Sequence, residues 1–378
     1  MILDPSHVRM TTGWRGRALL VLLVLLPVAV AVAGCRNAAP APAIGIAMGE
    51  DGVAAARLAA ADVNAAGGID GDSLVLRVGD VEADAIRLAD SLAGDSRVVA
   101  VVGHSSSAAS LAASQIYNAR GVTQLAPTTT AVLFSSAGPY SFRLVPDDRR
   151  QAAFLADQVA RAGARRLALV YVNDDYGRAL QSAVRAHLDR RGTPVVYEAP
   201  YLEKTDTAQL ASVARALAAA RPDLLLWLGR PVQLRLVLAT PRPALPDLPV
   251  LGSDGVDFRS IYERPDQYPR VRFVRFVDPA GAGEALRAFR ARFVATAGHE
   301  PPAEATLTYD ATMLVATAMR GGARTREAVR AYLTTVGIDR PAYHGISGAI
   351  AFDRAGDVTR PHLLAEARAD GVQPVAVP

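Results

Sequence analysis

Four short polar segments carry the side chains that could bind, or act on, a small molecule. Each follows an apolar run typical of a buried strand, and the first three lead into helical stretches. They are residues 103–107 (GHSSS), 127–130 (PTTT), 173–177 (NDDYG) and 252–255 (GSDG). In open α/β sheets, ligands bind at the carboxyl ends of strands, beside helix N-termini. These segments are therefore the candidate binding residues of the chain.

The hydroxyls of the first two segments suit an anion. Free N–H groups at a helix start, together with the helix dipole, favour a carboxylate beside Ser106 and Ser107. Thr128 and Thr130 could bind the same carboxylate or cap the helical stretch that follows them. Plain capping is the alternative role for the serines too, because serine is a preferred N-cap residue.

The other two segments offer complementary groups. Tyr176 presents a flat apolar ring with a polar tip, while the acidic residues beside it suit a helix start whatever its function. Asp254 lies between Ser253 and Gly255. An aspartate in such surroundings is an ordinary turn residue. Its alternative role is to supply the counter-charge for a ligand ammonium.

The same residues argue against an enzyme. Residues 103–107 begin like the G-x-S-x-G nucleophile elbow, but the last position is Ser107 and not glycine. No phosphate-binding G-x-x-x-x-G-K-[ST] motif occurs, and no G-x-G-x-x-G follows the first strand. The six histidines lack metal-ligand spacing, and His104 is better explained as a structural residue than as a general base. We expect no cofactor, no metal and no catalysis; a hydrolase acting through residues 105–107 is the least favoured alternative.

The amino terminus predicts an exported protein. Three arginines make the start positive, and residues 18–33 form an almost wholly apolar run before Gly34 and Cys35. This is the pattern of a secretory signal, and a cysteine directly after the cleavage site is typical of bacterial lipoproteins. A membrane anchor helix is the alternative, but the run is short for a span, which needs ~20 residues. We predict cleavage after Gly34 and lipidation of Cys35, with translation starting at Met1 or Met10.

Composition narrows the class further. Cys35 is the only cysteine, which excludes a disulfide, a thiolate zinc site or cysteine catalysis in the exported chain. Removing residues 1–34 takes away three arginines and Asp4, so the formal net charge falls from +4 to about +2. This charge is too small and too scattered to indicate nucleic-acid binding. The remaining length favours two domains.

From residue 43 onward, strand-like and helical stretches alternate. The strand-like runs are residues 44–48, 74–81, 98–102, 122–126, 140–145, 167–172, 194–198, 224–228, 250–251 and 271–277. This alternation predicts parallel sheets with helices on both faces, and its restart after Pro146 predicts two similar lobes. Residues 348–352 and 363–369 are predicted to form a closing hairpin.

Seven short segments carry a resemblance to a known family. They are residues 60–71 (AADVNAAGGIDG), 101–107 (VVGHSSS), 125–130 (LAPTTT), 175–177 (DYG), 252–256 (GSDGV), 309–311 (YDA) and 352–357 (FDRAGD). Each is weak alone, but their common order makes the signal specific. Together they resemble the Leu/Ile/Val-binding (branched-chain amino-acid) type of ABC-transporter substrate-binding protein, which has the type I periplasmic binding protein fold.

The resemblance implies two doubly wound parallel-sheet α/β lobes, joined by three crossovers, with the ligand in the cleft between them. It assigns the carboxylate of an amino-acid ligand to Ser106, Ser107, Thr128 and Thr130. It also places Tyr176 as an aromatic from the opposite lobe, and Asp254 at the acidic position for the ligand ammonium.

The predicted domain organisation follows from the resemblance and the leader. It comprises a lipoprotein signal peptide at 1–34, a lipidated Ala/Pro-rich tether at 35–42, a first lobe of 43–145 and 255–338, and a second lobe of 146–254 and 339–378.

Two departures from the family pattern concern specificity. The loop after the first strand, residues 48–52, is short, and Arg230 stands where the family usually has a tyrosine. Arginine binds carboxylates bidentately, so an acidic, amide or larger ligand becomes possible. A solvated helix start is the alternative role of Arg230.

These features predict a lipid-anchored, extracytoplasmic solute-binding protein. We expect it to capture a small polar ligand, an amino acid or amide, by hinge closure and to deliver it to an ABC permease. The anchor would be its sole membrane contact, and we expect no nucleic-acid partner. A ligand-sensing receptor of the same fold is the alternative function.

Overall fold

A computed structural model describes residues 41–79, 84–204, 206–240, 247–277 and 283–376. The predicted signal peptide, Cys35 and residues 36–40 of the tether lie outside the described residues. Within the described ranges, no helix is both long and apolar enough to cross a membrane.

The first lobe is built on a five-stranded parallel sheet. Its strands and the helices between them are β1 (Ala43–Ala47), α1 (Glu50–Ala65), β2 (Val75–Val78), α2 (Ala85–Gly94), β3 (Val98–Gly103), α3 (Ser107–Ala119), β4 (Thr123–Ala126) and β5 (Ser141–Arg143). The strand order is β2-β1-β3-β4-β5. Strands β1 and β3 are buried along their whole length, as expected where helices cover both faces of a parallel sheet.

The second lobe follows with the same alternation. Its elements are α4 (Asp148–Arg161), β6 (Leu167–Val172), α5 (Asp175–Arg190), β7 (Val195–Tyr201), α6 (Thr207–Ala220), β8 (Leu224–Leu228), α7 (Pro231–Leu238), β9 (Val250–Gly252), α8 (Arg259–Glu263) and β10 (Val271–Arg275). Asp147, Asp174 and Asp206 cap helices α4, α5 and α6 by accepting a backbone N–H.

The last part of the chain contributes to both lobes. It forms α9 (Glu284–Ala297), α10 (Ala303–Arg320), α11 (Arg326–Leu333), β11 (Tyr343–Gly345), β12 (Gly348–Ile350), β13 (Leu363–Arg368) and β14 (Gly371–Val375). Helices α9 and α10 pack on α1 of the first lobe. Strands β13 and β14 complete the second sheet, in the order β14-β13-β10-β9-β8-β6-β7.

This topology corrects the predicted boundaries of the lobes and the predicted closing hairpin. Strand β10 lies between β9 and β13, so residues 255–277 continue the second lobe, although the sequence-based boundaries placed them in the first. The reverse holds for β11 and β12, which pack on α10 of the first lobe although residues 339–378 were assigned to the second. The predicted closing hairpin is also wrong, because β12 pairs with β11 while β13 pairs with β10 and β14. A strand-like run reveals a strand but not its partner, since the partner is chosen by contacts distant in sequence.

The lobes are joined by three crossings of the chain, between β5 and α4, between β10 and α9, and between β12 and β13. The first and third crossings are bound together by a buried ion pair. Arg143 is fully buried, and its Nε and Nη2 atoms each lie 2.8 Å from a carboxylate oxygen of Asp357. This pair fixes two of the connecting segments side by side.

Two of the segments that carry the family resemblance stabilise the packing of the first lobe and do not line the cleft. Asp62 on α1 accepts a 2.6 Å hydrogen bond from the hydroxyl of Tyr309 on α10. Asn64 Oδ1 accepts the backbone N–H of Leu74 at 2.7 Å, and fully buried Asp310 accepts the N–H of Ile346 at 2.8 Å. Residues 60–71 and 309–311 are therefore structural parts of the resemblance.

Candidate functional site

The four polar segments identified from the sequence all lie where strands of the two sheets end, along the cleft between the lobes. The lobes touch across this cleft. Arg259 on α8 forms a 3.0 Å ion pair with Glu50 at the start of α1, and Asp257 Oδ1 accepts the N–H of Ala303 at 3.4 Å. The structure therefore shows the lobes in contact, as in a closed cleft.

Ser105 organises the first-lobe wall. Its hydroxyl donates to Glu304 Oε1 at 2.8 Å and accepts the N–H of Gly49 at 3.1 Å. Its carbonyl accepts the hydroxyl of Thr128 at 3.2 Å. The ends of β1, β3 and β4 and the start of α10 thus converge on one serine.

The other hydroxyl residues of this wall have distinct surroundings. Ser106 caps α3 by accepting the N–H of Ala109 at 3.2 Å, so its oxygen is already used locally. Ser107 is buried in the first turn of that helix. Thr130 is also buried, and its carbonyl accepts the N–H of Asp148 at 2.9 Å. The structure brings Ser107, Thr128 and Thr130 to the same cleft wall.

Asp254 is the centre of the second-lobe wall. Its Oδ1 accepts the hydroxyl of Tyr176 at 2.6 Å and the side-chain amide of Gln151 at 2.8 Å. The N–H of Asp254 donates back to Gln151 Oε1 at 2.9 Å. Oδ2 has no hydrogen bond within the described part of the chain, so one oxygen of this carboxylate is left for a ligand.

Close backbone approach makes this arrangement possible. Gly255 donates its N–H to the Tyr176 hydroxyl at 3.2 Å, and a Cβ at Gly255 would lie 2.8 Å from the carbonyl oxygen of Gly229. A Cβ at Gly177 would lie 1.9 Å from the carbonyl oxygen of Val172. Both glycines let the chain bring Tyr176 against the turn that holds Asp254.

Two buried acids share the floor of the cleft. Burial raises the pKa of Asp254, while the hydrogen bonds from Tyr176 and Gln151 and the charge of Arg230 oppose that rise. Burial and the neighbouring charge of Asp254 raise the pKa of Asp148 to about 8. Both oxygens of Asp148 are buried without a hydrogen bond of good geometry. The negative charge therefore resides on Asp254, whose charged form is hydrogen-bonded.

Arg230 lies beside this pair at the end of β8. Its guanidinium carbon is 5.3 Å from the ring centre of Tyr176 and 5.1 Å from that of Phe258. Burial lowers the pKa of Arg230, but the electronegative groups around it, including Glu203 and Asp174, raise the pKa overall. The residue is a permanent cation on an aromatic wall and not a solvated helix start.

His104 does not form a catalytic pair with a serine. Its Nε2 lies 3.1 Å from the hydroxyl of Tyr117, and burial lowers the pKa of its ring to about 4. Among the described residues, no cluster of three or more His, Cys, Asp or Glu side chains could hold a metal ion.

Asp148, Gln151 and Glu304 also belong to the site, although no sequence pattern singled them out. Asp148 and Gln151 directly follow the first crossing after Pro146, and Glu304 is the second residue of α10, which begins after two prolines. For Asp148 and Gln151 the nearness to a crossing was the available signal, since crossings border the cleft in a two-lobed fold. Glu304 follows α9 and has no such signal. An acid at a helix start, by contrast, is ordinary.

Comparison with known proteins places the chain in a family. The profile of the periplasmic binding protein family matches residues 42–372. A search of curated proteins finds no match.

Many solved structures share the fold. LivJ from Streptococcus pneumoniae, a branched-chain amino acid transporter substrate-binding protein in complex with isoleucine, is 21% identical with a TM-score of 0.78, covering 89% of this chain and 99% of that one. An ABC transporter substrate-binding protein from Desulfitobacterium hafniense in complex with Leu is 22% identical with a TM-score of 0.71, covering 88% and 99%. A solute-binding protein of an ABC transporter from R. palustris in complex with benzoate is 16% identical with a TM-score of 0.76, covering 89% and 96%.

The two-lobed architecture, the cleft and the family match agree, and they describe solute binding rather than catalysis. The chain belongs to the periplasmic binding protein family and has the type I periplasmic binding protein fold.

Proposed function

We propose that this protein is a lipid-anchored, extracytoplasmic solute-binding protein of an ABC transporter. It captures an amino acid or a related small polar compound by closure of its lobes and delivers it to the permease. The observation that carries the proposal is the hydrogen-bonded carboxylate of Asp254, which keeps Oδ2 free and faces a cleft wall rich in hydroxyls.

The two walls suit the two charged groups of an amino acid. The ammonium would bind Asp254 Oδ2, because a charged hydrogen bond in a closed cleft is stronger than a neutral one. The carboxylate would bind the hydroxyl of Thr130 and the N–H groups at the start of α3, beside Ser107. Thr128 would have to exchange its bond to the Ser105 carbonyl for one to the ligand. Tyr176 would support this site in two ways, by holding Asp254 and by covering the ligand.

Closure couples binding to delivery. A ligand whose two ends bind different lobes stabilises the closed form by its differential affinity for that form. The contacts of Arg259 with Glu50 and of Asp257 with Ala303 close one side of the cleft. The permease would then distinguish loaded from empty protein by the relative position of the lobes.

The neighbours support this ligand class. The structures described above hold leucine, isoleucine and benzoate, all of which carry a carboxylate. The leader and Cys35 support a lipid anchor, which would keep the protein at the outer face of the membrane.

A melting-temperature screen tests the function. The exported protein is titrated with the twenty amino acids, their amides and small carboxylates, and hits are measured by calorimetry. A ligand at 100 times its Kd stabilises the folded state by about 2.7 kcal/mol, which is readily seen as a shift in Tm. Failure of every compound to shift the Tm contradicts the proposal. Uptake of the ligand by cells with and without the gene separates transport from sensing.

A further inference from the structure

Arg230 is a largely buried cation with unused hydrogen-bond donors. Its side chain is only 19% exposed, and its guanidinium makes no hydrogen bond with an acceptor in the described ranges. The backbone atoms of Arg230, by contrast, are bonded to Tyr201 and Trp227. A guanidinium has five N–H donors, and those of Arg230 keep some contact with solvent, so they are accessible to a ligand.

The ion pairs of Arg230 do not satisfy these donors. Its Nε is 3.5 Å from Glu203 and its Nη2 is 3.8 Å from Asp174, whereas charged N–H to carboxylate bonds are typically about 2.7–2.9 Å long. Both acids lie in the second lobe, like Arg230 itself. The two carboxylates offset the charge of Arg230 but leave its N–H donors without a close acceptor.

The aromatic neighbours hold the guanidinium in place. Tyr176 and Phe258 both lie within the range of cation–π attraction, at 5.3 and 5.1 Å. The hydroxyl of Tyr176 also donates to Asp254 at 2.6 Å. The same aromatic ring therefore contacts both the guanidinium of Arg230 and the proposed ammonium site. A ligand bound at Asp254 would therefore have its side chain near Arg230.

Glu304 borders the same space from the first lobe. Burial and the charge of Asp51 raise the pKa of Glu304 to about 7, while hydrogen bonds from Ser105 and Gly49 and the charge of Arg230 oppose that rise. Ser105 bonds only Oε1 of Glu304, so Oε2 is left for a ligand side chain. The first lobe thus offers an acceptor at Glu304, and the second lobe offers donors at Arg230.

We propose that Arg230 determines the specificity of the cleft, selecting amino acids whose side chain ends in a planar carboxamide or carboxylate over those with an aliphatic end. Arg230 donates to the terminal oxygen of the ligand, and Glu304 receives the amide N–H or shares its proton with the acid. This inference rests on the proposed function, because it takes the amino-acid core to be bound at Asp254.

Calorimetry with four named probes tests the proposal. L-glutamine, L-asparagine, L-glutamate and L-leucine are titrated into wild type, Arg230→Met and Arg230→Lys. Arg235→Met is the matched control, since Arg235 lies on α7 and donates to Gln267 at 2.9 Å. Circular dichroism and the Tm establish that each variant is folded, and Arg230→Lys keeps the charge if Arg230→Met does not fold.

The expected pattern is selective. At least one amide or acidic probe binds wild type about 10-fold or more tighter than leucine, and Arg230→Met weakens it about 10–150-fold, as for a charged hydrogen bond. Arg230→Lys loses part of this affinity, leucine binding does not fall, and Arg235→Met leaves every affinity unchanged. If leucine binds tightest, or if Arg230→Met keeps the preference for an amide or acidic side chain, the specificity proposal is wrong while the amino-acid function stands. Absence of binding by all four probes overturns it together with an amino-acid function.

The pH dependence identifies which end group is preferred. A carboxamide needs the charged form of Glu304 as acceptor, so glutamine affinity should rise as pH increases through about 7. A second carboxylate needs the protonated form, so glutamate affinity should fall over the same range. Glu304→Gln should remove the change near pH 7 for both probes, while any loss of affinity on acidification that comes from Asp254 remains.

Discussion

The hydroxyl of Tyr176 donates a 2.6 Å hydrogen bond to Oδ1 of Asp254, joining the start of α5 to the turn after β9. The bond leaves Oδ2 of Asp254 without a protein partner within the described residues. It also explains why a tyrosine is needed at this place, since a phenylalanine could cover a ligand but could not orient the carboxylate. Aromatic wall and acidic group form one unit of the site.

Replacing the acid of this unit should abolish most amino-acid binding. Asp254→Asn keeps the shape but removes the charge, and a hydrogen bond to a charged group contributes about 1.5–3 kcal/mol, or roughly 10–150-fold in affinity. Calorimetry with the ligand found in the screen measures the change. Ser107→Ala should cost less, because backbone N–H groups remain at the start of α3. Asp189→Asn, an exposed change at the far end of α5, is the control, and equal affinities for Asp254→Asn and wild type would refute the role of Asp254.

Removing the tyrosine hydroxyl should change the pH profile of binding. Burial raises the pKa of Asp254 and the Tyr176 hydrogen bond opposes that rise. Tyr176→Phe should therefore raise the pKa further, so that affinity is lost at a higher pH as the solution is acidified. Affinity measured from pH 4 to 8 reports this shift. A profile that merely drops in parallel at every pH would show that the hydroxyl does not act through Asp254.

Asp148 should make stability fall with rising pH. Its folded pKa of about 8 lies above the ordinary value of 3.8, so the folded state retains a proton that the unfolded state loses between these values. Stability from this group is thus highest below about pH 4 and declines until about pH 8. Asp148→Asn removes this slope, and its Tm relative to wild type should be higher at pH 9 than at pH 5. Identical pH dependence of the two melting temperatures would contradict the burial of a protonated Asp148.

The ion pair between two crossings should matter for stability. Asp357→Ala leaves fully buried Arg143 without its counter-charge, which typically costs about 3–5 kcal/mol. Chemical denaturation measures the loss. Arg149→Met is the control, because Arg149 is 65% exposed in its pair with Asp147 and such pairs contribute about 0–1 kcal/mol. The double variant Arg143→Met/Asp357→Ala should cost less than the sum of its single changes, and strict additivity would show that the two residues do not interact.

Cys35 should determine where the protein is found. Cys35→Ala should yield released protein or an uncut precursor, since the chain has no other cysteine to accept a thioether. Intact mass of the membrane fraction distinguishes a lipidated from an unlipidated amino terminus. A mature wild-type protein with an unmodified Cys35, or one that starts at another residue, would contradict the anchor.

The sequence by itself determined the strands and helices and the polar segments that could bind a ligand. Alternating apolar runs and helical stretches set the two α/β lobes, because strand and helix periodicities are local properties of the chain. The polar segments after β3, β4, β6 and β9 could be selected for the same reason, since ligands bind at strand ends in such sheets. The family resemblance rests on those short segments and is confirmed by the match over residues 42–372.

Tertiary structure decided which residues meet. Tyr176 and Asp254 are 78 residues apart, Gln151 and Asp254 are 103 apart, and Ser105 and Glu304 are 199 apart. The register of β10 between β9 and β13 likewise depends on strands distant in sequence. Contacts of this kind arise only when the lobes pack and the crossings are closed, and no local pattern of side chains encodes them. The acids of the cleft acquire their pKa values in the same step, because burial and neighbouring charges are properties of the folded chain.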